Sequence, residues 1–336
     1  MKNNDKTALI TGANSGIGFE TVQQLAKLGY GNIILATRTV EKADNTAKIL
    51  KEKGFENRFS SLEIDTSDAE SARTAAEKLI ASGQGIDLLI LNAGSATSSL
   101  SKNRDGVDLT FASTLVGHHI LTIMLLEHGI VKDNANIVIA GSEAARGDVQ
   151  GMGLPDFDQI SREDHQGDLR ETFEAFAGGY APGKYHVMKA YSIAKLYVAW
   201  WSAELAEKLS GGIRVFTISP GSVPATNFAR NQSIVLRYIL MPLMNSSLGR
   251  VLGASAPVSS GANRYISAVD MPDSDSGKFF ASPPGKMTGE LTEQKTELLL
   301  DENKRNTAWN TIVGLSGGMN YSGEKGKEIK STRSVA

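Results

Sequence analysis

Residues 7–18 read Thr-Ala-Leu-Ile-Thr-Gly-Ala-Asn-Ser-Gly-Ile-Gly. The first five are apolar or β-branched and suit a buried strand. The glycines that follow, Gly12, Gly16 and Gly18, are spaced GxxxGxG, not the commoner GxGxxG. From Gly16 onward Ile17, Val22, Leu25 and Leu28 fall near helical spacing, and Gly29 stops the run. A strand, a glycine loop and a helix in that order aim backbone N–H groups and a helix dipole at one spot with no β-carbons in the way. A diphosphate needs such a spot.

The same alternation continues outward from this unit. Asn32–Thr37, Phe59–Asp65, Asp87–Leu91, Asn136–Ala140 and Ile213–Ser219 read as further strands, with Lys278–Ala281 as a seventh. Val40–Lys53, Asp68–Ser82, Leu109–Glu127 and Lys184–Leu209 read as the helices between them. Continuously apolar strands alternating with helices predict an α/β fold: a doubly wound parallel sheet of about seven strands with helices on both faces. Ligands in such a sheet bind at the carboxyl ends of the strands. No linker divides the chain, so residues 1–321 are expected to form a single domain. Residues 147–183 read as an insertion loop, 222–258 as a substrate lid and 322–336 as a disordered polar tail.

Composition narrows the function. Lys+Arg is 35 and Asp+Glu is 37, a net charge of −2, which argues against nucleic-acid binding. Zero cysteines removes disulfides, thiolate nucleophiles and Cys-ligated metals. The polar start, Met1–Lys6, shows no secretory signal. The apolar patch Ile234–Met244 is broken by Arg237 and Pro242 and is far short of the ~20 residues a membrane span needs. A cytoplasmic protein without a membrane span is expected. The acids of the insertion, Asp156, Asp158, Glu163, Asp164 and Asp168, lack a calcium-loop pattern, and no histidines have zinc-site spacing, so no metal is expected.

Thr11-Gly12-Ala13-Asn14-Ser15-Gly16-Ile17-Gly18, Asn92-Ala93-Gly94 after strand four and Pro220-Gly221 after strand six together resemble the short-chain dehydrogenase/reductase family. Ala36-Thr37-Arg38, Gly117-His118 and Lys189-Ala190-Tyr191 resemble its retinol-dehydrogenase-like and protochlorophyllide-reductase-like members. The resemblance spans roughly residues 7–226. It implies a Rossmann-type fold and a nicotinamide cofactor held by Gly12, Asn14, Ser15, Gly16, Ile17, Gly18, Asn92, Ala93, Gly94, Pro220, Gly221, Val223 and Thr226. Asp65 is expected at the adenine. Strand two ends in Thr37-Arg38 with no acid to grip a ribose diol, and the Arg38 guanidinium can pair with a phosphate dianion. This favours NADP(H) over NAD(H).

Hydride transfer to a carbonyl needs a proton donor, and a tyrosine of ordinary pKa, about 10, is a poor one unless a cation lowers it. Tyr191 and Lys195 stand one helical turn apart and supply that pair. Tyr185 and Lys189 have the same spacing but face elsewhere; the sequence around Tyr191 is the one that resembles the family. By the same resemblance Ser142 is the hydroxyl that steadies the carbonyl oxygen. Thr114 stands where relatives carry an asparagine of the proton relay. Tyr191 and Lys195 are also expected to touch the cofactor.

The lid residues Phe228, Ile234, Leu236, Tyr238 and Met241 suggest a hydrophobic or bulky carbonyl or alcohol as substrate. Trp200 and Trp201 are expected in the core or at a subunit contact, and the chain as a monomer or a homodimer through its long helices. The leading expectation is an NADPH-dependent carbonyl–alcohol oxidoreductase. The rivals are an epimerase or dehydratase on the same scaffold and a redox-sensing protein that binds NADP with little catalysis.

Overall fold

The computed structural model describes residues 3–223 and 255–323. Most of the expected lid, with Thr226 and the Ile234–Met244 patch, lies outside the described residues, as does most of the expected tail.

Eight strands form one sheet in the order β3-β2-β1-β4-β5-β6-β7-β8. They are β1 Thr7–Thr11, β2 Asn32–Thr37, β3 Arg58–Glu63, β4 Ile86–Leu91, β5 Val131–Ala140, β6 Arg214–Ile218, β7 Phe279–Ala281 and β8 Thr292–Glu293. Neighbours pair in parallel except β7 and β8. The eighth strand exceeds the expected seven. It is two residues long, too short for any periodicity to announce it.

Each strand is apolar on both faces because each face is covered. Leu9, Ile34, Ala36, Leu89, Leu91, Ile137 and Ile139 point to one side of the sheet. Ala8, Ile10, Ile33, Leu35, Leu88, Ile90 and Val138 point to the other. The second side packs on α1 Gly16–Lys27 and α2 Val40–Glu52. The first packs on α3 Ala69–Ser82 and α4 Leu109–Glu127. Helix α4 is long and apolar enough to cross a membrane, yet 94% of its most apolar window is buried inside this fold. Sheet order reverses between β1 and β4, so the connections leaving their carboxyl ends run to opposite sides and leave a crevice between them.

Two segments depart from expectation. Within α4, residues Ala112–Val116 form a π-helical turn. Thr66 seats in the widened turn, its hydroxyl donating to Ser113 O at 2.8 Å while its carbonyl accepts from Gly117 N at 3.2 Å. A β-carbon on Gly117 would stand 2.3 Å from that carbonyl oxygen, so only glycine fits.

The 147–183 segment, expected as a loop, carries two helices, α5 Phe157–Asp164 and α6 Leu169–Ala177. Its acids cap and tether them: Asp156 accepts from Gln159 N, Asp168 from Glu171 N, Asp164 from the Tyr180 hydroxyl, and Asp158 pairs with Lys304. With α7 Val187–Lys208 and the last helices, α9 Glu297–Leu300 and α10 Glu302–Leu315, they close an aromatic core in which Trp200, Trp201 and Trp309 are buried. Helix α8, Val258–Ser267, packs beside α1 on the other face.

Candidate active site

The crevice at the β1/β4 switch holds a cavity of about 280 Å³. Gly12, Asn14, Ser15, Gly16 and Ile17 line its floor; Asn92, Ala93 and Gly94 line one wall; Lys195 and Pro220 line its far end. Gly18 faces away and packs the helix on the loop: a β-carbon there would lie 2.3 Å from Gly12 O and 2.7 Å from Asn92 Nδ2. Ser15 precedes α1 without using its side chain as a cap, so the first amides of the helix are left to a ligand.

The loop is braced from below by motif residues whose contacts with one another the sequence does not show. The Thr11 hydroxyl accepts from Asn92 N and Ala93 N, both at 2.9 Å, and lies 3.0 Å from His118 Nε2. The other ring nitrogen of His118 is 3.0 Å from Thr114 O, a carbonyl that only accepts. Nδ1 therefore carries the proton and Nε2 accepts from Thr11. Burial pushes the His118 pKa down to about 4, consistent with this neutral ring. The Asn92 side chain is spent on Thr11 O at 2.9 Å, joining β1 to β4.

At the end of β2 the cavity meets Arg38 and, one turn into α2, Lys42. Lys42 was not foreseen, although its four-residue offset from Arg38 is visible in the sequence. Among the described residues no acidic side chain lines the cavity. Asp65, expected at the adenine, does not line it; its Oδ1 accepts from Ser67 N and Oγ at 2.9 and 2.7 Å in the turn before α3. Ile64 and Thr66 line the cavity on either side of it.

Tyr191 and Lys195 stand one turn apart on α7, with Lys195 Nζ 5.7 Å from the Tyr191 ring centre; Lys195 lines the cavity, whereas Tyr191 and Ser142 lie behind its lining. Burial pushes the Tyr191 phenol up to about 12; a hydrogen bond from Ser142 pulls against this, and the Glu143 carboxylate adds to it. The expected depression of the phenol by Lys195 is thus corrected: the ammonium donates instead to Ala140 O at 2.7 Å, and burial dominates the phenol. The same burial lowers Lys195 to about 8. Ser142 stands two residues beyond the end of β5 and caps the 3₁₀ turn Glu143–Arg146, accepting from Ala144 N at 3.3 Å.

The rival pair separates from this site. Helix α7 begins at Val187, so Tyr185 precedes it and shares no helical face with Lys189. The Tyr185 hydroxyl donates to Asp108 Oδ2 at 2.9 Å. Thr114 lies in the π-helical turn, buried, its hydroxyl without a hydrogen-bond partner and 3.3 Å from the place a β-carbon on Gly94 would take. Gly221 and Val223 follow Pro220 in the chain but do not line the cavity, while Thr226 lies outside the described residues. Tyr265, on α8, lines the cavity beside Pro220; nothing in its sequence context pointed there.

The profile of the short chain dehydrogenase family matches residues 6–154. Human retinol dehydrogenase 13 is 30% identical over 230 residues, 68% of this chain and 62% of that protein, so the chain spans less than two thirds of this relative's length. An uncharacterised Mycobacterium paratuberculosis protein shares the fold with a TM-score of 0.65, 21% identity and 94% coverage of each chain. A short chain dehydrogenase from Burkholderia cenocepacia, solved with NADP, has a TM-score of 0.55, 19% identity and coverage of 82% of this chain and 95% of its own.

Proposed function

We propose, from the match to the short chain dehydrogenase family over residues 6–154 and the similarity to retinol dehydrogenase 13, that the chain is an NADP(H)-dependent oxidoreductase interconverting an apolar carbonyl compound and its alcohol. One observation carries the reading: Lys195 lines the same cavity as the glycine loop, and Tyr191, one turn before it, meets the Ser142 hydroxyl.

The donor set fits the dinucleotide. The uncapped start of α1 and the Gly12–Ile17 loop suit its diphosphate, and Arg38 with Lys42 suits an added 2′-phosphate that a lining carboxylate would repel. When bound, the nicotinamide supplies or accepts the hydride. The rest of the reaction falls to this chain's side chains. Ser142 donates a hydrogen bond to the carbonyl oxygen as charge builds on it. Tyr191 delivers the proton to that oxygen, or takes it in the reverse direction. A phenol near 12 holds its proton at neutral pH, as a general acid must, and the buried Lys195, near 8, stands ready to resupply it. Thr114 offers its unpartnered hydroxyl below as a step toward solvent. An apolar substrate is favoured by the similarity to retinol dehydrogenase 13.

The test follows NADPH consumption at the nicotinamide absorbance band across a panel of apolar aldehydes and ketones. Tyr191→Phe is expected to bind NADPH as the wild type does and to lose turnover by about 10²-fold or more. Tyr185→Phe is expected to turn over normally. A wild-type protein that consumes NADPH with no member of the panel overturns the reading.

A further inference from the structure

Glu143 follows Ser142 directly, is 1% exposed, and has no part in the proposed reaction. Its Oε2 accepts from Ser219 Oγ at 2.6 Å, and its Oε1 from Ser282 Oγ at 2.8 Å, Ser282 N at 3.1 Å and Arg264 Nη1 at 3.5 Å. Arg264, from α8, also donates to Ser219 O at 2.9 Å, Ser282 Oγ at 3.0 Å and Gly289 O at 2.6 Å. The Ser219 hydroxyl in turn accepts from Gly221 N at 3.1 Å. One carboxylate therefore ties the turn after β5, the Pro220-Gly221 turn after β6 and the segment after β7 into a single network. A buried carboxylate is tolerated only when its lone pairs are met, and here an arginine and three further donors meet them.

We propose that Glu143, held by Arg264, is a positioning residue: it fixes the Ser142 turn against the Pro220-Gly221 turn and sets the charge environment of the Tyr191 phenol. The proposal rests on reading Tyr191 as the proton donor. The ionisable groups facing that phenol are Glu143 on the β5 turn, Lys195 on α7 and Tyr265 on α8, with Arg264 beside Glu143 and Tyr265 and the neutral His118 beside Lys195. Of these, Glu143 opposes loss of the phenolic proton. It keeps Tyr191 in its acid form over a wider pH range.

The test reads two signals: tyrosinate absorbance of the free protein against pH, with Tyr191→Phe as the blank, and the alkaline limb of kcat with NADPH and an apolar aldehyde. Glu143→Gln keeps the shape and removes the charge. It is expected to move both signals down by about one pH unit and to lower kcat more than it raises KM. Arg264→Met strips the counter-ion and is expected to move both signals up. Arg264→Lys keeps the charge and leaves both signals in place; with Glu143→Gln it carries the test should Arg264→Met fail to fold. A Glu143→Gln protein of altered thermal stability whose Tyr191 transition and kcat limb stay at wild-type positions overturns the proposal. Wild-type turnover in Tyr191→Phe overturns the parent reading instead, and the absorbance titration still decides the role of Glu143.

Discussion

The Thr11 hydroxyl donates to His118 Nε2 across 3.0 Å, joining the last residue of the first strand to the middle of α4. The bond needs an unprotonated imidazole, and so does its neighbour: His119 Nδ1 accepts from Trp201 Nε1 at 2.9 Å, and burial lowers its pKa to about 4 as well.

Stability should therefore fall with acid in a defined window. Both histidines sit at about 4 in the fold against 6.5 for the free side chain, so the unfolded chain takes up protons first. Their contribution is complete above about pH 6.5 and is lost as pH drops toward 4. Chemical unfolding at stepped pH is expected to show this loss, and the double variant His118→Phe/His119→Phe, though less stable at pH 7, is expected to show a flatter slope.

Arg38 and Lys42 flank the cavity end where β2 stops. Replacing either by alanine is expected to weaken NADPH binding about tenfold, the worth of one charge-assisted hydrogen bond, and to leave NADH binding nearly unchanged. Fluorescence titration of both cofactors reads the ratio. A parallel loss for NADH shows that these cations do not distinguish the phosphate.

The Thr114 hydroxyl is buried without a partner. Thr114→Val removes it at nearly constant volume. The expected result has two opposite signs: thermal stability holds or rises by up to about 1 kcal/mol, while turnover falls because a station for the proton is gone. Unchanged turnover assigns the hydroxyl no place in the relay.

Trp200 and Trp201 are fully buried, with Trp200 Nε1 donating to Leu298 O at 3.0 Å just ahead of α10. The α7 face that carries them is occupied from within the chain, so a two-fold contact through that face is not expected. Trp200→Ala should cost about 3–5 kcal/mol of stability, read by chemical unfolding.

The sheet and the glycine loop were legible because their signals are local. Thr7–Thr11 and Asn32–Thr37 are unbroken apolar runs ended by a glycine or a charge, and the structure places both strands at those limits. Tyr191 and Lys195 could be paired in advance because a helix fixes what stands one turn apart. What stayed hidden depends on distant partners. The Asp156 and Asp168 caps make helices of a polar stretch that has the composition of a loop. Tyr185, left outside α7, is held instead by Asp108, 77 positions away. Glu143 and Arg264 are 121 positions apart, and neither sits in a pattern that names the other.

The two residues of β8 finish the sheet in a particular way. A long parallel sheet that stopped at Phe279–Ala281 would offer a row of free amides and carbonyls to any passing extended chain. The antiparallel pairing of Phe280 with Glu293 and Ala281 with Thr292 uses that row up, and β8 is itself too brief and too charged to template another strand. This edge of the sheet is thus guarded against edge-to-edge fibre growth by one short reversal of direction.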